Sequence, residues 1–282
     1  MPLKTTAGDH GTVARGRGAT MNPEGRFERG TREAFDDDWF PDGREGEAAK
    51  PGTVIAIERA KRVISRNDSP DLGFSLSVNP YRGCAHGCSY CYARPSHAYL
   101  GLSPGIDFET RLFAKPEAAQ LLREELARPG YRCEPINIGS NTDGYQPIER
   151  EHRITRSVLE VLREASHPVT IVTKSALVER DLDLLAPMAR DGLATVVVSV
   201  TTLDPRLSAR MEPRASAPAR RLEAIRRLAA AGVPVGVNVA PVIPFLTDHE
   251  IEAILAEAAR AGAGWAGWSL LRLPWEVKDI FR

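Results

Sequence analysis

Residues 79–91, which read NPYRGCAHGCSYC, place three cysteines in one short loop. Cys84, Cys88 and Cys91 follow the spacing C-x3-C-x2-C, and Tyr90 stands directly before the last of them. Three close thiolates can hold three irons of a 4Fe–4S cube, whereas a ferredoxin that only carries electrons supplies four cysteines to each cube. The loop therefore indicates a cluster whose fourth iron is open to a small molecule.

Other uses of these thiols have to be weighed. Cys133 could join the three loop cysteines in a zinc site, but structural zinc ligands usually come in two pairs and Cys133 stands alone. Four cysteines in 282 residues make no disulfide scaffold. His86, inside the loop, is interpreted as a hydrogen-bond donor beside the cluster or a solvated residue rather than as a ligand.

The spacing, with Tyr90 before the last cysteine, resembles the signature of the radical S-adenosylmethionine (radical SAM) enzymes. That resemblance implies that the open iron chelates SAM, and that one electron from the cluster cleaves SAM to methionine and a 5′-deoxyadenosyl radical. An external electron donor, flavodoxin-like or ferredoxin-like, is then needed. The flanking residues 79–83 (NPYRG) and 92–94 (YAR) resemble the DNA repair photolyase-like subgroup related to spore photoproduct lyase.

Composition sets the broad class of the chain. It is 43% hydrophobic and 26% charged, and lysine plus arginine equals aspartate plus glutamate at 37 each, so net charge singles out no nucleic-acid or membrane partner. No apolar run approaches the ~20 residues of a membrane span. The first nine residues lack the apolar core of a signal peptide, so we expect a cytoplasmic protein.

Two regions differ in pattern. Residues 1–50 are polar and lack hydrophobic periodicity, which predicts a flexible tail in which residues 15–18 (RGRG) could touch nucleic acid and residues 36–40 could dock through Trp39 and Phe40. Residues 51–282 are predicted to form the radical SAM core. The last eight residues look like a helix just beginning, so we expect a truncated C-terminus.

Strands and helices alternate along this core. Continuous apolar strands separated by helices predict a parallel sheet buried on both faces. Six units favour an α/β fold with a partial (β/α)6 barrel, which the resemblance also implies, although periodicity alone leaves a flat doubly wound sheet open. The predicted strands are 74–79, 135–139, 169–173, 194–200, 233–240 and 268–271, and the predicted helices are about 115–127, 150–165, 178–190, 217–231 and 248–261, with Asp248 as an N-cap and Gly192, Gly232 and Gly262 as stops.

Polar residues follow the second and third predicted strands. Residues 140–143 (SNTD) stand where radical SAM proteins hold the SAM amino group, often with a Gly-Gly-Glu-like segment that is absent here; the alternative is a turn with a helix cap. Lys174 is predicted to bind the SAM carboxylate, and its alternative is a surface lysine. Since parallel strands end at one mouth, we expect Lys174, Ser199 and residues 140–143 to face the cysteine loop.

Other residues are assigned to SAM with an ordinary structural alternative beside each. Tyr90 is placed near the adenine, or it is a packing aromatic beside the cluster. Arg214 binds a carboxylate or forms a helix-surface ion pair, and Asn238 contacts the adenine or is a satisfied core amide. The predicted SAM-binding set is Tyr90, Ser140, Asn141, Thr142, Asp143, Lys174, Ser199 (with the hydroxyls of Thr201 and Thr202 towards the ribose or methionine part), Arg214 and Asn238.

One departure from the subgroup affects the reaction. Spore photoproduct lyases use a hydrogen-donating cysteine near the end of the second strand, and residues 140–143 contain none. Cys133 precedes that strand and should lie at the opposite end of the barrel. Tyr145 or a hydrogen of the substrate could serve instead. The predicted function is radical SAM chemistry on a nucleic-acid lesion, or on a peptide or small metabolite; a SAM-binding or cluster-binding module without turnover and a zinc-stabilised nucleic-acid-binding protein remain as alternatives.

Overall fold

The computed structural model of the chain describes residues 16–27, 52–69 and 72–282. Strands and helices alternate through most of the last range, as the pattern predicts. The strands are β1 Val54–Ile57, β2 Ile64–Arg66, β3 Leu76–Val78, β4 Tyr81–Arg82, β5 Arg111–Ala114, β6 Ile136–Ile138, β7 Val169–Thr173, β8 Ala194–Ser199, β9 Val235–Val242 and β10 Trp265–Leu270. The α-helices are α1 Asp107–Thr110, α2 Ala118–Leu126, α3 Glu149–His152, α4 Ile154–Glu164, α5 Leu182–Arg190, α6 Pro205–Met211, α7 Pro218–Ala230, α8 Ile251–Arg260 and α9 Val277–Phe281.

The main sheet has seven strands in the order β10-β9-β8-β7-β6-β3-β2. In this sheet β3, β6, β7, β8, β9 and β10 pair in parallel, each with the next. The edge strand β2 pairs antiparallel with β3. The six parallel strands are the six predicted ones. Their order along the sheet follows the chain, each reached through a helical crossover, which is the arrangement of a partial (β/α)6 barrel.

The two faces of this sheet differ in polarity. One face carries Val78, Ile138, Ile171 and Val196 in register, all fully buried in the core that also holds the apolar residues of α4, α5 and α7. The other face carries polar side chains in register, namely Ser77, Asn137, Thr170 and Thr195. The apolar side therefore binds the helices, while the polar side faces the barrel interior.

Several predicted boundaries differ from the structure. The sixth strand covers Trp265–Leu270 instead of 268–271, and the helix expected from 178 begins at Leu182 because Ala176–Asp181 form a 3-10 helix. Asp248 is not an N-cap, because it is the first residue of a 3-10 helix, Asp248–Glu250, whose N-cap position is held by Thr247. The three predicted helix stops are confirmed, since Gly192, Gly232 and Gly262 all have positive φ.

A small second sheet, with the order β1-β5-β4, lies outside the sequence prediction. β1 and β5 pair in parallel, and β4 pairs antiparallel with β5 just before the first cysteine. This sheet fixes the entry of the cysteine loop, because the loop leaves β4 at Gly83.

Residues 16–27 depart from the predicted flexible tail. Ala19 is fully buried, and the backbone N–H groups of Gly18 and Ala19 donate to the Glu109 carboxylate. The docking segment at 36–40 and Arg15 lie outside the described residues. Within the described ranges, none of the helices combines the length and the hydropathy needed to cross a membrane.

Candidate active site

The cysteine loop is shaped by two glycines in the left-handed region. Gly83 and Gly87 have φ of 72° and 70°, values that cost a side-chain-bearing residue energy. Cys84 lies between these glycines, and its N–H donates to the Phe108 carbonyl at 3.0 Å. Cys91 lies after them, and its N–H donates to the Cys88 carbonyl at 3.2 Å. The loop is thus a set of tight turns that keeps the three thiols near one another.

The three thiols are free and lie near one another. Cys84 and Cys88 are buried and Cys91 is partly buried. Burial raises the pKa of Cys88 well above its usual value, and the negative charges of Glu212, Cys91 and Cys84 add to that rise, while Lys174 lowers it. Bringing three thiols together out of water disfavours three thiolates unless positive charge joins them. Iron would supply that charge.

His86 is not directed at solvent. Its Nδ1 lies 3.3 Å from Oδ2 of Asp143, and it also interacts with the thiol of Cys84. Burial would lower the pKa of His86, but Asp143 and Cys84 raise it to about 10. Burial would raise the pKa of Asp143, but His86 and the N–H groups of Lys174 and Tyr145 lower it to about 2. The ring therefore connects Cys84 to the residues after β6.

Residues 140–143, after β6, are bonded to the entry of the loop. The Asn79 side-chain amide donates to Ser140 Oγ at 3.0 Å, and Asn141 N–H donates to Asn79 Oδ1 at 2.9 Å. Thr142 Oγ1 donates to the Gly83 carbonyl at 2.6 Å. Much of the hydrogen-bonding capacity of these residues therefore positions the cysteine loop, as the turn alternative expects.

Lys174 lies at the same mouth as the cysteine loop. It follows β7, its N–H donates to Asp143 at 2.8 Å, and its Nζ is 5.7 Å from the centroid of the Tyr90 ring. It is also close enough to Cys88 and Glu212 to lower the pKa of both. The ammonium is thus beside the thiols, where an anionic group of a ligand would find it.

Ser199 and Asn238 stand side by side. β8 and β9 pair these two residues, and Val198 pairs with Thr173, so Ser199 is at the level of Lys174. Both lie on the face opposite the helices; Ser199 is the last residue of β8, whereas Asn238 is the fourth of the eight residues of β9. Their positions fit a place in the mouth of the barrel.

Arg214 is exposed and lies in the segment between α6 and α7, before the start of α7. Its backbone N–H donates to the His86 carbonyl at 3.1 Å, and Arg17 is near enough to interact with it electrostatically. Its contact with the cysteine loop is therefore made by the backbone.

Glu212 is a buried carboxylate that the sequence did not single out. It accepts hydrogen bonds from the Tyr90 hydroxyl, from Arg221 and, at 2.8 Å, from Thr201. Burial would raise the pKa of Glu212, but Arg221, Lys174 and these bonds lower it to about 2. No local pattern marks the residue, because its partners are spread from Tyr90 to Arg221 along the chain.

Three hydroxyl groups that the sequence suggests for SAM binding or hydrogen donation form hydrogen bonds with buried or partly buried carboxylates instead. Thr201 bonds to Glu212, and Thr202 Oγ1 donates to Glu250 at 2.5 Å. Tyr145 is fully buried, and its hydroxyl donates to Asp181 at 3.0 Å. Tyr145 is thus removed from the mouth and cannot be the hydrogen donor considered above.

The thiols fit an iron–sulfur cluster better than a zinc ion. Cys133 is exposed and precedes β6, at the opposite end of the sheet from the residues that follow β6. Among the described residues, no three His, Cys, Asp or Glu side chains are arranged to hold a single metal ion. In a cube each cysteine binds a different iron, so the three sulfurs need not meet at one point. A zinc site that includes Cys133 is therefore contradicted by its position.

The family model of the radical SAM superfamily matches residues 78–258, so the chain belongs to that family. An uncharacterized protein of Mycobacterium tuberculosis is 41% identical over 194 residues, which are 68% of this chain and 57% of the relative. The chain thus spans little more than half the length of that relative. A radical SAM Nα-GlyT isomerase of Pseudomonas phage M6 is 23% identical over 183 residues, which are 64% of this chain and 36% of the isomerase.

Among solved structures, a spore photoproduct lyase variant with bound S-adenosylmethionine and dinucleoside spore photoproduct is similar in fold. The TM-score is 0.58 at 19% sequence identity, and the match covers 81% of this chain and 65% of the lyase chain. The likeness confirms the partial barrel. Family membership implies a 4Fe–4S cluster and SAM as cofactors.

Proposed function

We propose that the protein is a radical SAM enzyme whose 4Fe–4S cluster is held by Cys84, Cys88 and Cys91. The observation that carries the proposal is that three free thiols of one loop lie beside an ammonium group, that of Lys174, at the mouth of a parallel barrel. The cluster, when reduced, supplies the electron that cleaves SAM to methionine and a 5′-deoxyadenosyl radical, which takes a hydrogen atom from the substrate. An external flavodoxin-like or ferredoxin-like donor would reduce it.

The residues around the thiols divide the binding of SAM between them. Lys174 binds its carboxylate, because the ammonium lies beside Cys88 and the Tyr90 ring. Ser199 and Asn238 offer polar groups to the ribose and adenine. Tyr90 offers its ring and backbone, since its hydroxyl is occupied by Glu212.

The polar residues after β6 have two roles in this proposal. Ser140, Asn141 and Thr142 hold the loop by the bonds described above, and the faces they leave free line the place for the SAM amino group. Asp143 holds His86 against Cys84. Water is kept from the thiols by the same packing, which buries Cys84 and Cys88.

For the substrate, we propose a nucleic-acid lesion acted on in lyase fashion, with a peptide or small metabolite as the second candidate. The support is the resemblance of residues 79–83 and 92–94 to the photolyase-like subgroup, together with the fold shared with spore photoproduct lyase. Because residues 140–143 contain no cysteine and Tyr145 is buried, the hydrogen atom that ends the reaction would be the one first taken from the substrate, returned to the product radical by 5′-deoxyadenosine.

The test is chromatography of anaerobically reconstituted, dithionite-reduced protein after incubation with SAM. We expect 5′-deoxyadenosine and methionine, formed slowly without substrate, and none from a Cys88→Ala variant. Protein with a full cluster that forms no 5′-deoxyadenosine, with or without lesion-containing oligonucleotides, would favour a module that binds SAM without turnover. Equal product from Cys88→Ala would mean that the chemistry is not the cluster's.

A further inference from the structure

Residues 16–27, which we call the strap, lie against the outer side of the cysteine loop. Gly18 N–H and Ala19 N–H donate to the two oxygens of the Glu109 carboxylate at 3.1 and 2.8 Å. The Arg17 guanidinium donates to the Glu109 carbonyl at 3.1 Å. Glu109 is fully buried, so the strap supplies hydrogen bonds that a buried carboxylate requires.

The same carboxylate is tied to the cysteine loop. Arg94, also fully buried, forms an ion pair with Glu109. The Nε of Arg94 donates to the Cys88 carbonyl at 2.9 Å, and Nη1 donates to the Gly105 carbonyl at 2.9 Å. One chain of contacts therefore runs from the strap through Glu109 and Arg94 to the backbone of a cluster cysteine.

Two backbone approaches show how closely the strap is seated. A Cβ added at Gly18 would overlap the carbonyl oxygen of Gly87, the residue directly before Cys88. A Cβ added at Gly105 would overlap the carbonyl oxygen of Met21 in the strap. Glycine at these two positions therefore lets the strap and the neighbouring backbone approach each other closely.

The rest of the strap is bonded along its length. Asn22 and Asp107 bond reciprocally, and Ser103 Oγ donates to the Pro23 carbonyl at 2.6 Å. At its far end the Arg26 guanidinium lies 4.0 Å from the centroid of the Trp275 ring, and Arg26 N–H donates to Glu276 at 3.1 Å. The strap thus connects the cysteine loop with the segment that follows β10.

We propose that the strap is a structural part of the cluster site: it closes the outer side of the cysteine loop and protects the bound cluster from water and oxygen. The inference rests on the proposed function insofar as it needs a cluster to protect. It adds a feature that lies before residues 78–258, the part that matches the family model. A strap bonded through Glu109 and Arg94 also holds Cys88 in its ligating position while the cluster is absent.

The experiment compares two glycine-to-alanine variants of the full chain. Gly18→Ala introduces the overlap with Gly87, whereas Gly52→Ala is its matched control, since a Cβ at Gly52 meets no atom within 4 Å and its φ is not in the left-handed range. Hydrogen exchange of peptides covering residues 16–27, followed by mass spectrometry, measures whether the strap is seated, with or without a cluster. The decay of visible absorbance and the release of iron in air measure the lifetime of the cluster.

We expect Gly18→Ala to exchange its strap amides about tenfold faster than wild type, because two hydrogen bonds to a charged, buried acceptor are lost. Its cluster should decay several-fold faster in air, and Gly52→Ala should match wild type in both measurements. Rapid exchange with an unchanged cluster lifetime would overturn the protective role. Unchanged exchange and lifetime in Gly18→Ala would overturn the seating itself.

A second variant and the behaviour of wild-type protein without a cluster distinguish failure of this proposal from failure of the proposed function. If Gly18→Ala fails to fold, Ser103→Ala, which removes only the hydroxyl that binds Pro23 and Gly105, must reproduce the effects in milder form, and wild-type behaviour of that variant counts against the proposal. If wild-type protein takes up no cluster, the proposed function fails while the exchange measurement still decides whether the strap is seated.

Discussion

The ion pair between Glu212 and Arg221 offers a measurable test of how the mouth of the barrel is built. Both side chains are almost fully buried, at 0% and 1% exposure. Arg221 also donates to the carbonyls of Ser216 at 2.6 Å and Ser199 at 3.0 Å. Replacing Arg221 by methionine keeps most of the side-chain volume and leaves the Glu212 carboxylate buried without its ion-pair partner, although Lys174 remains nearby.

The expected loss of stability in Arg221→Met follows from the burial of the ion pair. Removing one partner of a buried pair costs about 3–5 kcal/mol, because the remaining charge loses its compensation. For a domain of this size each kcal/mol lowers the melting temperature by about 2–4 °C, so Arg221→Met should melt roughly 6–20 °C below wild type. Arg227→Met is the matched control: Arg227 pairs with Glu223 and Glu179 on the surface, at 54% exposure, and its replacement should leave the melting temperature close to that of wild type.

Thermal unfolding of the two variants, followed by circular dichroism, is the assay. In a further variant that combines Arg221→Met with Glu212→Gln, no charge is left buried, and we expect it to recover part of the lost stability. A Tm of Arg221→Met within about 2 °C of the Arg227→Met value would refute the reasoning, because it would place the two pairs in equivalent surroundings.

Three other predictions concern the binding of SAM, the stability of the protein at low pH and the packing of the core. Lys174→Met should weaken SAM binding by roughly tenfold or more, since a charge-assisted contact is lost, while leaving the iron content unchanged; equilibrium dialysis with SAM measures the first and iron analysis the second. The pKa of Glu212 is lowered from its usual 4.5 to about 2, so its contribution to stability is present above pH 4.5 and is lost as the pH falls towards 2. Denaturant unfolding should therefore vary less with pH in this window for Glu212→Gln than for wild type, and equal slopes would contradict that. Leu162→Ala, at a fully buried position, should cost about 2–5 kcal/mol, and Leu255→Ala, at 37% exposure, clearly less in the same urea titration.

The parallel sheet could be predicted because its signal is local. Runs such as Val169–Thr173 are β-branched, bounded by turns and separated by helices, so strand type and order follow from neighbouring residues. The grouping of residues at the mouth of the barrel could be predicted in the same way, since parallel strands end on one side. Lys174, which follows β7, does lie beside the cysteine loop. The sequence located the site wherever its residues stood at the end of a strand.

Long-range contacts could not be predicted in this way. Glu212 follows a short helix, and nothing near it in the sequence indicates that Tyr90 and Arg221 bury its carboxylate. The sequence pattern predicts a polar tail where the strap lies, because the strap's hydrogen bonds use backbone groups, which leave no hydrophobic pattern. Glycines 18 and 105 look like markers of flexibility in a sequence, whereas here they permit close backbone contact.

The three-cysteine cluster site is the central claim, and iron analysis of cysteine variants tests it most directly. The measurement is the ratio of iron to protein after anaerobic reconstitution of wild type, Cys133→Ala and Cys84→Ala. We expect about four irons in wild type and Cys133→Ala, because Cys133 is exposed at the opposite end of the sheet, and far fewer in Cys84→Ala. Loss of iron from Cys133→Ala, or full retention in Cys84→Ala, would contradict the assignment.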